Sequence, residues 1–179
     1  MAPLWFDKAR IDALLAMASE RLDGDWLLIG GAAAATWFAV ARTTEDVDLV
    51  GLAGTSAERL ALMNLAIEAG LPVEAVNSAG DFFVRRIDGW RDELVPLVRG
   101  PRATIYRPNA TLFLLLKIER LSAVDLDDCI ALVAHCVETG EAVDRERVLA
   151  RLSSLPVTDE AGRQDRRASL AMLLGSETP

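Results

Sequence analysis

The chain has 179 residues, 51% of them apolar and 26% charged, with a formal net charge of −8 and a pI of about 4.7. That length fits one domain, or one domain with a helical extension, and so much apolar material excludes disorder by composition. The acidic balance has the wrong sign for non-specific gripping of a phosphate backbone, because such binding draws on counterion release by Lys and Arg.

Asp7 is placed to cap a first helix, along which Ile11, Leu14, Leu15, Ala18 and Leu22 recur at helical spacing. Asp23-Gly24-Asp25 ends it. Trp26 to Ile29 is a short apolar run stopped by Gly30-Gly31, which predicts a buried strand. Ala32 to Val40 is alanine-rich and predicts a short helix. The whole apolar stretch from Trp26 to Ala41 is 16 residues, short of the roughly 20 that a membrane-spanning helix needs. Asp46 to Val50 alternates as a half-buried strand does. A helix follows from Thr55 or Ser56 to Ala69, ended by Gly70. Val73–Val76 and Asp81–Arg86 have the look of short strands. Trp90 to Val98 is ambiguous, with Pro96 opposing a long helix. Ala103 to Arg107 predicts another strand, and Pro108-Asn109 a turn and a cap. Thereafter the pattern is helical alone: Thr111 to Ile118, Asp125 to Val137, Arg145 to Leu152, and Asp159 to Leu174, with Gly175 to Pro179 expected to fray. The expected class is therefore α+β, a sheet domain over residues 1–108 with a helical region, 109–179, packed on it.

Cys129 and Cys136 stand seven residues apart in one predicted helix, about 10 Å along its axis and too far for a disulfide. Reduced thiols, no basic-then-apolar leader and no spanning segment together predict a cytoplasmic protein with no membrane partner. The lone histidine, His135, has no zinc-type spacing with these cysteines. With no second histidine and no Gly-x-Ser-x-Gly, a hydrolase triad is not expected. Arg85, Arg86, Arg91, Arg99, Arg102 and Arg107 lie close together in the chain; they read as solvated surface groups, with a cleft for triphosphate or RNA as the alternative.

Asp46 and Asp48 are i and i+2 in a predicted strand and so share a face. Two adjacent carboxylates repel one another, and a hard divalent cation such as Mg²⁺ answers them through oxygen ligands; solvated strand-end acids are the plainer reading. Gly30-Gly31, between strand and helix, lets backbone approach a phosphate, and the amides of a helix N-terminus attract anions. Arg42 can contact phosphate oxygens, and Thr44 can donate a hydroxyl hydrogen bond.

Taken together, residues 27–50, LLIGGAAAATWFAVARTTEDVDLV, closely resemble the signature of nucleotidyltransferases of the DNA polymerase β-like superfamily. That signature is an apolar strand, Gly-Gly or Gly-Ser, a helix, then Asp-x-Asp or Asp-x-Glu on the next strand. The Arg-x-Thr before the acids is similar to the abortive-infection AbiEii-like group and related bacterial nucleotidyltransferases. The spacer between Gly31 and Asp46 is 14 residues, long for the superfamily but compatible with a helix plus a loop. Residues 112–128, LFLLLKIERLSAVDLDD, resemble a downstream segment of the same group, matched at Lys117, Arg120, Asp125 and Asp128. Asp125 and Asp128 also suit a helix start, where they would cap.

The resemblance implies a nucleotidyltransferase fold, a small mixed β-sheet flanked by helices. It implies transfer of a nucleoside monophosphate from an NTP to an acceptor hydroxyl with Mg²⁺ or Mn²⁺. Asp46 and Asp48 would hold the metal; Gly30 and Gly31 would hold the triphosphate through backbone amides; Arg42, Thr44 and Lys117 would contact phosphate or order the site, Lys117 aiming at the triphosphate or at an active-site carboxylate rather than snorkelling to the surface. Asp46, Asp48 and Lys117 are then expected in one cleft with the Gly30-Gly31 turn. The acceptor would be a small molecule, an RNA such as a tRNA end, or a protein, as in toxin–antitoxin systems. The superfamily's third carboxylate is expected within residues 79–90, where Asp81 and Asp88 flank Phe82-Phe83-Val84-Arg85, which has no acid. Asp81 is the candidate. If neither serves, the chain is a non-catalytic relative that binds nucleotide or a partner.

Overall fold

A computed structural model describes residues 4–157 and 160–176. The chain divides into two compact units, Met1–Pro108 and Asn109–Pro179, and is α+β. Among the described residues no helix is long and apolar enough to cross a membrane.

In the first unit, Asp7 caps α1 (Lys8–Arg21), its carboxylate accepting the amide of Arg10 at 2.9 Å. The helix buries Ile11, Leu14, Leu15 and Ala18, the face its sequence period marks out. β1 (Gly24–Ile29) leads into α2 (Gly30–Trp37), then β2 (Val47–Gly51) and α3 (Ser56–Glu68). β3 (Val76–Asn77), α4 (Asp81–Arg85), β4 (Leu94–Arg99) and β5 (Ala103–Pro108) complete the unit. Among the described residues the strands form one five-stranded mixed sheet in the order β3-β2-β1-β5-β4. β1 is antiparallel to β2 and parallel to β5. Because β1 is central and covered on both faces, Trp26, Leu27, Leu28 and Ile29 are all buried, which is why its sequence is a continuous apolar run. Each such side chain contributes about 1.5–3 kcal/mol by leaving water. In α2, Ala32, Ala33, Ala34 and Ala35 are buried as well; methyl side chains let this helix lie close to its neighbours.

Three predicted elements differ. Asp81–Arg86, expected as a strand, is the helix α4. Phe82 and Phe83 are 62% and 48% exposed while Val84 is buried, which is no two-residue alternation, and an Asp81–Arg85 ion pair at 2.8 Å closes the turn. Val73–Ala75 is a 3-10 turn leading into only two strand residues. The ambiguous stretch after Ile87 resolves into a 3-10 turn, Trp90–Glu93, and edge strand β4, where Pro96 sits at a bulge, a place proline tolerates because the ladder there needs no donor.

The loop after β2 is held from several sides. Glu58 accepts the amides of Ala53 and Thr55 at 3.1 and 2.8 Å, completing a capping box with Thr55. Arg85 donates to the Gly51 carbonyl at 2.8 Å, and Arg91 to that of Leu52 at 3.0 Å. Gly51 leaves room for the Glu58 carboxylate: an added Cβ would lie 2.1 Å from its carboxyl carbon and would push that side chain aside.

The second unit is helical: α5 (Ala110–Ile118), α6 (Ala123–Thr139), α7 (Arg145–Ser154) and α8 (Arg163–Gly175). Asn109 caps α5 by accepting the Leu112 amide at 2.8 Å, as the Pro-Asn pair predicted. α5 buries nearly every residue, from Ala110 to Leu115 and again at Lys117 and Ile118. Leu121 makes the sharp turn to α6 with φ +43°, a left-handed conformation that costs a leucine about 1–2 kcal/mol. Burial of its side chain and a 2.6 Å bond from Arg166 to its carbonyl hold it there. α8 begins at Arg163, later than predicted; Asp159, where it was expected to start, and residues 177–179 lie outside the described residues.

Candidate active site

β1 stops at Ile29, which pairs with Asp48 of the antiparallel neighbour. Gly30 then turns the chain into α2 with φ +70°, and its missing Cβ would lie 3.0 Å from Oδ2 of Asp48. A side chain there would be strained by the backbone and would press on the carboxylate. Gly31 is as closely lined: its missing Cβ would lie 2.8 Å from Nη2 of Arg42 and 3.0 Å from Oγ1 of Thr44. The Thr44 hydroxyl in turn donates to Oδ1 of Asp46 at a long 3.4 Å. Gly30, Gly31, Arg42, Thr44, Asp46 and Asp48 therefore come together where β1, α2 and β2 meet. The two glycines belong to the first turn of α2 rather than preceding it, and Ile29 offers no side-chain cap. The first-turn amides of a helix point outward without intrahelical partners, so this end of α2 presents donors and positive potential. Asp46 is exposed and lies just before β2, not within it as expected; Asp48 is half-buried in the strand.

Two carboxylates beside amide donors and a guanidinium suit one Mg²⁺ bridging to a polyphosphate, since Mg²⁺ commonly takes one or two protein carboxylates with phosphate oxygens and water. The three-carboxylate set of the sequence expectation is not assembled. Among the described residues no three His, Cys, Asp or Glu side chains gather as a metal site. Asp81, the candidate third acid, is paired with Arg85 at 2.8 Å, and Arg85 also holds the Gly51 carbonyl. Gly51 is three residues past Asp48 along β2, about 10 Å in a strand. Asp88 is exposed in the turn before Gly89, whose φ is +74°.

The clustered arginines are spread among separate partners. Arg102 makes a two-pronged pair with Asp23 at 2.9 and 2.7 Å. Arg91 lies over the Trp90 ring at 4.3 Å and Arg107 over Trp37 at 3.7 Å. The surface reading of this cluster fits better than the cleft reading.

Lys117, expected to contact phosphate, is shielded within the second unit. Its ammonium donates to Asp125 at 2.9 Å and to Asp128 at 2.8 Å, and the three side chains are 8%, 1% and 5% exposed. It does not snorkel to solvent; its charge is met by these two carboxylates. Asp125 also accepts from Arg120 at 2.7 and 2.9 Å and from the Ser122 hydroxyl and amide at 2.8 and 3.0 Å. Burial pushes the Asp125 pKa up, but Arg120, the Lys117 charge and hydrogen bond, and Ser122 outweigh it and hold it well below the usual carboxylate range. Asp125 does cap α6, in a box with Ser122, whereas Asp128 lies beyond the first turn and serves Lys117 instead. Cys129 and Cys136 are buried thiols not joined in a disulfide, as expected. Burial pushes the Cys129 thiol up to about 12. His135 is half-buried in α6.

No protein-family model, no curated protein and no solved structure matches the chain.

Proposed function

We propose that the chain is a nucleotidyltransferase of the DNA polymerase β-like kind, moving a nucleoside monophosphate from an NTP to an acceptor hydroxyl. The observation that carries the reading is the contact of Gly30 with Asp48 and of Gly31 with Arg42 and Thr44, which gathers five residues of the sequence motif at one helix N-terminus. In this reading the amides of α2 and the Arg42 guanidinium bind the triphosphate. Their fixed charges oppose the negative charge that builds on the leaving pyrophosphate, the usual protein contribution to phosphoryl transfer. The acceptor oxygen bonds to the α-phosphorus as the bond to pyrophosphate breaks, and the hydroxyl proton leaves to solvent or to a site carboxylate. Asp46 and Asp48 would hold Mg²⁺ or Mn²⁺, which when bound neutralises phosphate charge and polarises the phosphoryl oxygens. Lys117 takes no part.

A second reading is favoured by Asp81, which is tied to Arg85 rather than gathered with the other two acids. In it the same site binds a nucleotide without turning it over, as part of a partner-binding or toxin–antitoxin-like module.

Thermal shift with ATP, GTP, CTP and UTP, with and without Mg²⁺ or Mn²⁺, tests the shared part. At 100 times Kd a ligand stabilises the native chain by about 2.7 kcal/mol, and Asp48→Asn should lose the metal-dependent share. Transfer of label from an α-labelled NTP to RNA or protein then separates the two readings. A wild-type chain that no NTP stabilises, with either metal, overturns both.

A further inference from the structure

The segment ahead of α1 is fastened to the loop that carries the site residues. Phe6 and Thr44 exchange a pair of backbone hydrogen bonds, Phe6 N–H to the Thr44 carbonyl at 2.7 Å and Thr44 N–H to the Phe6 carbonyl at 3.0 Å. The Phe6 side chain is 2% exposed and so is anchored in the core. On its far side the segment is tied to α1, where Arg10 donates to the Trp5 carbonyl at 2.7 Å and Asp7 caps the helix. Thr44 is the residue whose hydroxyl touches both the Gly31 position and Asp46. It lies between the end of α2 at Trp37 and the start of β2 at Val47, outside any helix or strand. A loop without a ladder of its own takes its order from whatever bonds its backbone, and at Thr44 that is Phe6.

We infer that residues 4–7 act as a strap that sets the Arg42–Asp46 loop against the N-terminus of α2, with Phe6 as a positioning residue of the candidate site. The inference rests on the nucleotide-binding reading for its consequence but not for its geometry. Docking of the strap and binding of a polyphosphate then favour the same arrangement of Arg42 and Thr44, so each strengthens the other by the same factor.

The test uses the full chain carrying Phe6→Ala, Phe6→Leu or Arg10→Ala. Arg10→Ala loosens the strap from an exposed position and leaves the core intact, so it serves if Phe6→Ala does not fold. Amide hydrogen exchange of the unliganded chain is read at Thr44 and, as internal reference, at Leu28 and Leu49. Thr44 protection should fall at least about tenfold in Phe6→Ala and less in Arg10→Ala, with Leu28 and Leu49 unmoved and Phe6→Leu close to wild type. Titration with MgATP should then show a dissociation constant raised about tenfold in Phe6→Ala and largely recovered in Phe6→Leu. Unchanged Thr44 protection in both loosened variants overturns the strap. So does lost protection with unchanged MgATP affinity. A wild-type chain that binds none of the four NTPs with either metal overturns the nucleotide reading of the preceding subsection, and the exchange comparison alone then decides whether the strap orders the loop.

Discussion

Replacing Lys117 by methionine keeps the bulk of its stem while removing the ammonium that bridges Asp125 and Asp128. Both carboxylates are at least nineteen-twentieths buried, so neither recovers its lost partner from water. Asp125 retains Arg120 and Ser122, while Asp128 loses the ammonium that donates to it at 2.8 Å. Breaking a buried ion pair from one side costs about 3–5 kcal/mol. With a urea slope of roughly 2 kcal/mol per molar, the midpoint should fall by about 2 M. The four tryptophans, Trp5, Trp26, Trp37 and Trp90, all lie in the first unit, so the direct readouts of this loss are far-ultraviolet circular dichroism and amide exchange at Leu114 and Leu115. The deficit should also depend on pH. The folded-state pKa of Asp125 is depressed, so the stability it contributes is present above the unfolded value of about 3.9 and is lost as pH falls below it. Wild type should therefore weaken from about pH 4 downward, while the variant, whose Asp125 has already lost the share of that depression that Lys117 supplies, weakens less and the two curves converge. A deficit under about 1 kcal/mol at pH 7, or one that does not shrink in acid, would refute the argument that these charges stabilise α5 and α6 by mutual pairing.

Gly31→Ala should raise the intrinsic helix stability of α2 by up to about 1 kcal/mol. The new methyl nonetheless displaces Arg42 and Thr44, which now approach its place at 2.8 and 3.0 Å, so calorimetry should show MgATP bound about tenfold more weakly at near-constant melting temperature. Cys129 should resist alkylation in the native chain and react only at the rate of unfolding, because its thiolate is suppressed. Since its pKa is raised, the stability it contributes is full below about pH 8.5 and is lost as pH rises from there through about 12. Base titration of wild type against Cys129→Ala, followed by circular dichroism, reads that difference.

What the sequence revealed, and what it hid, follows one physical division. Elements specified by local chemistry were legible. Asp7 and Asn109 cap the helices they announce, and the buried run of β1 shows as unbroken hydrophobicity. The contacts of Gly30 and Gly31 also answer to the spacing of the motif, because an antiparallel β1–β2 pair necessarily returns Asp48 to the end of β1. Contacts that depend on where the chain goes next were not legible. Lys117 reaches Asp125 and Asp128 only because Leu121 adopts a left-handed turn, and a leucine gives no sign of that. Phe-Phe-Val at residues 82–84 resembles a strand until the Asp81–Arg85 pair and the exposure of both rings show a helix. The strap from Phe6 to Thr44 spans 38 residues of sequence with nothing in either side chain to suggest a backbone pairing.

The Gly51–Glu58 contact carries a consequence for how this sequence can drift. The Glu58 carboxylate occupies the space that any side chain at position 51 would need, with its atoms 2.1 to 2.6 Å from that Cβ. An alanine at 51 pushes the Glu58 carboxylate away from the amides of Ala53 and Thr55, so the cap of α3 loosens. The two positions, seven apart, thus behave as one inherited unit. Descendants that acquire a side chain at 51 should already have surrendered the acid at 58, an order that passes through an uncapped α3 rather than a clash. The permissive path runs through position 58 first.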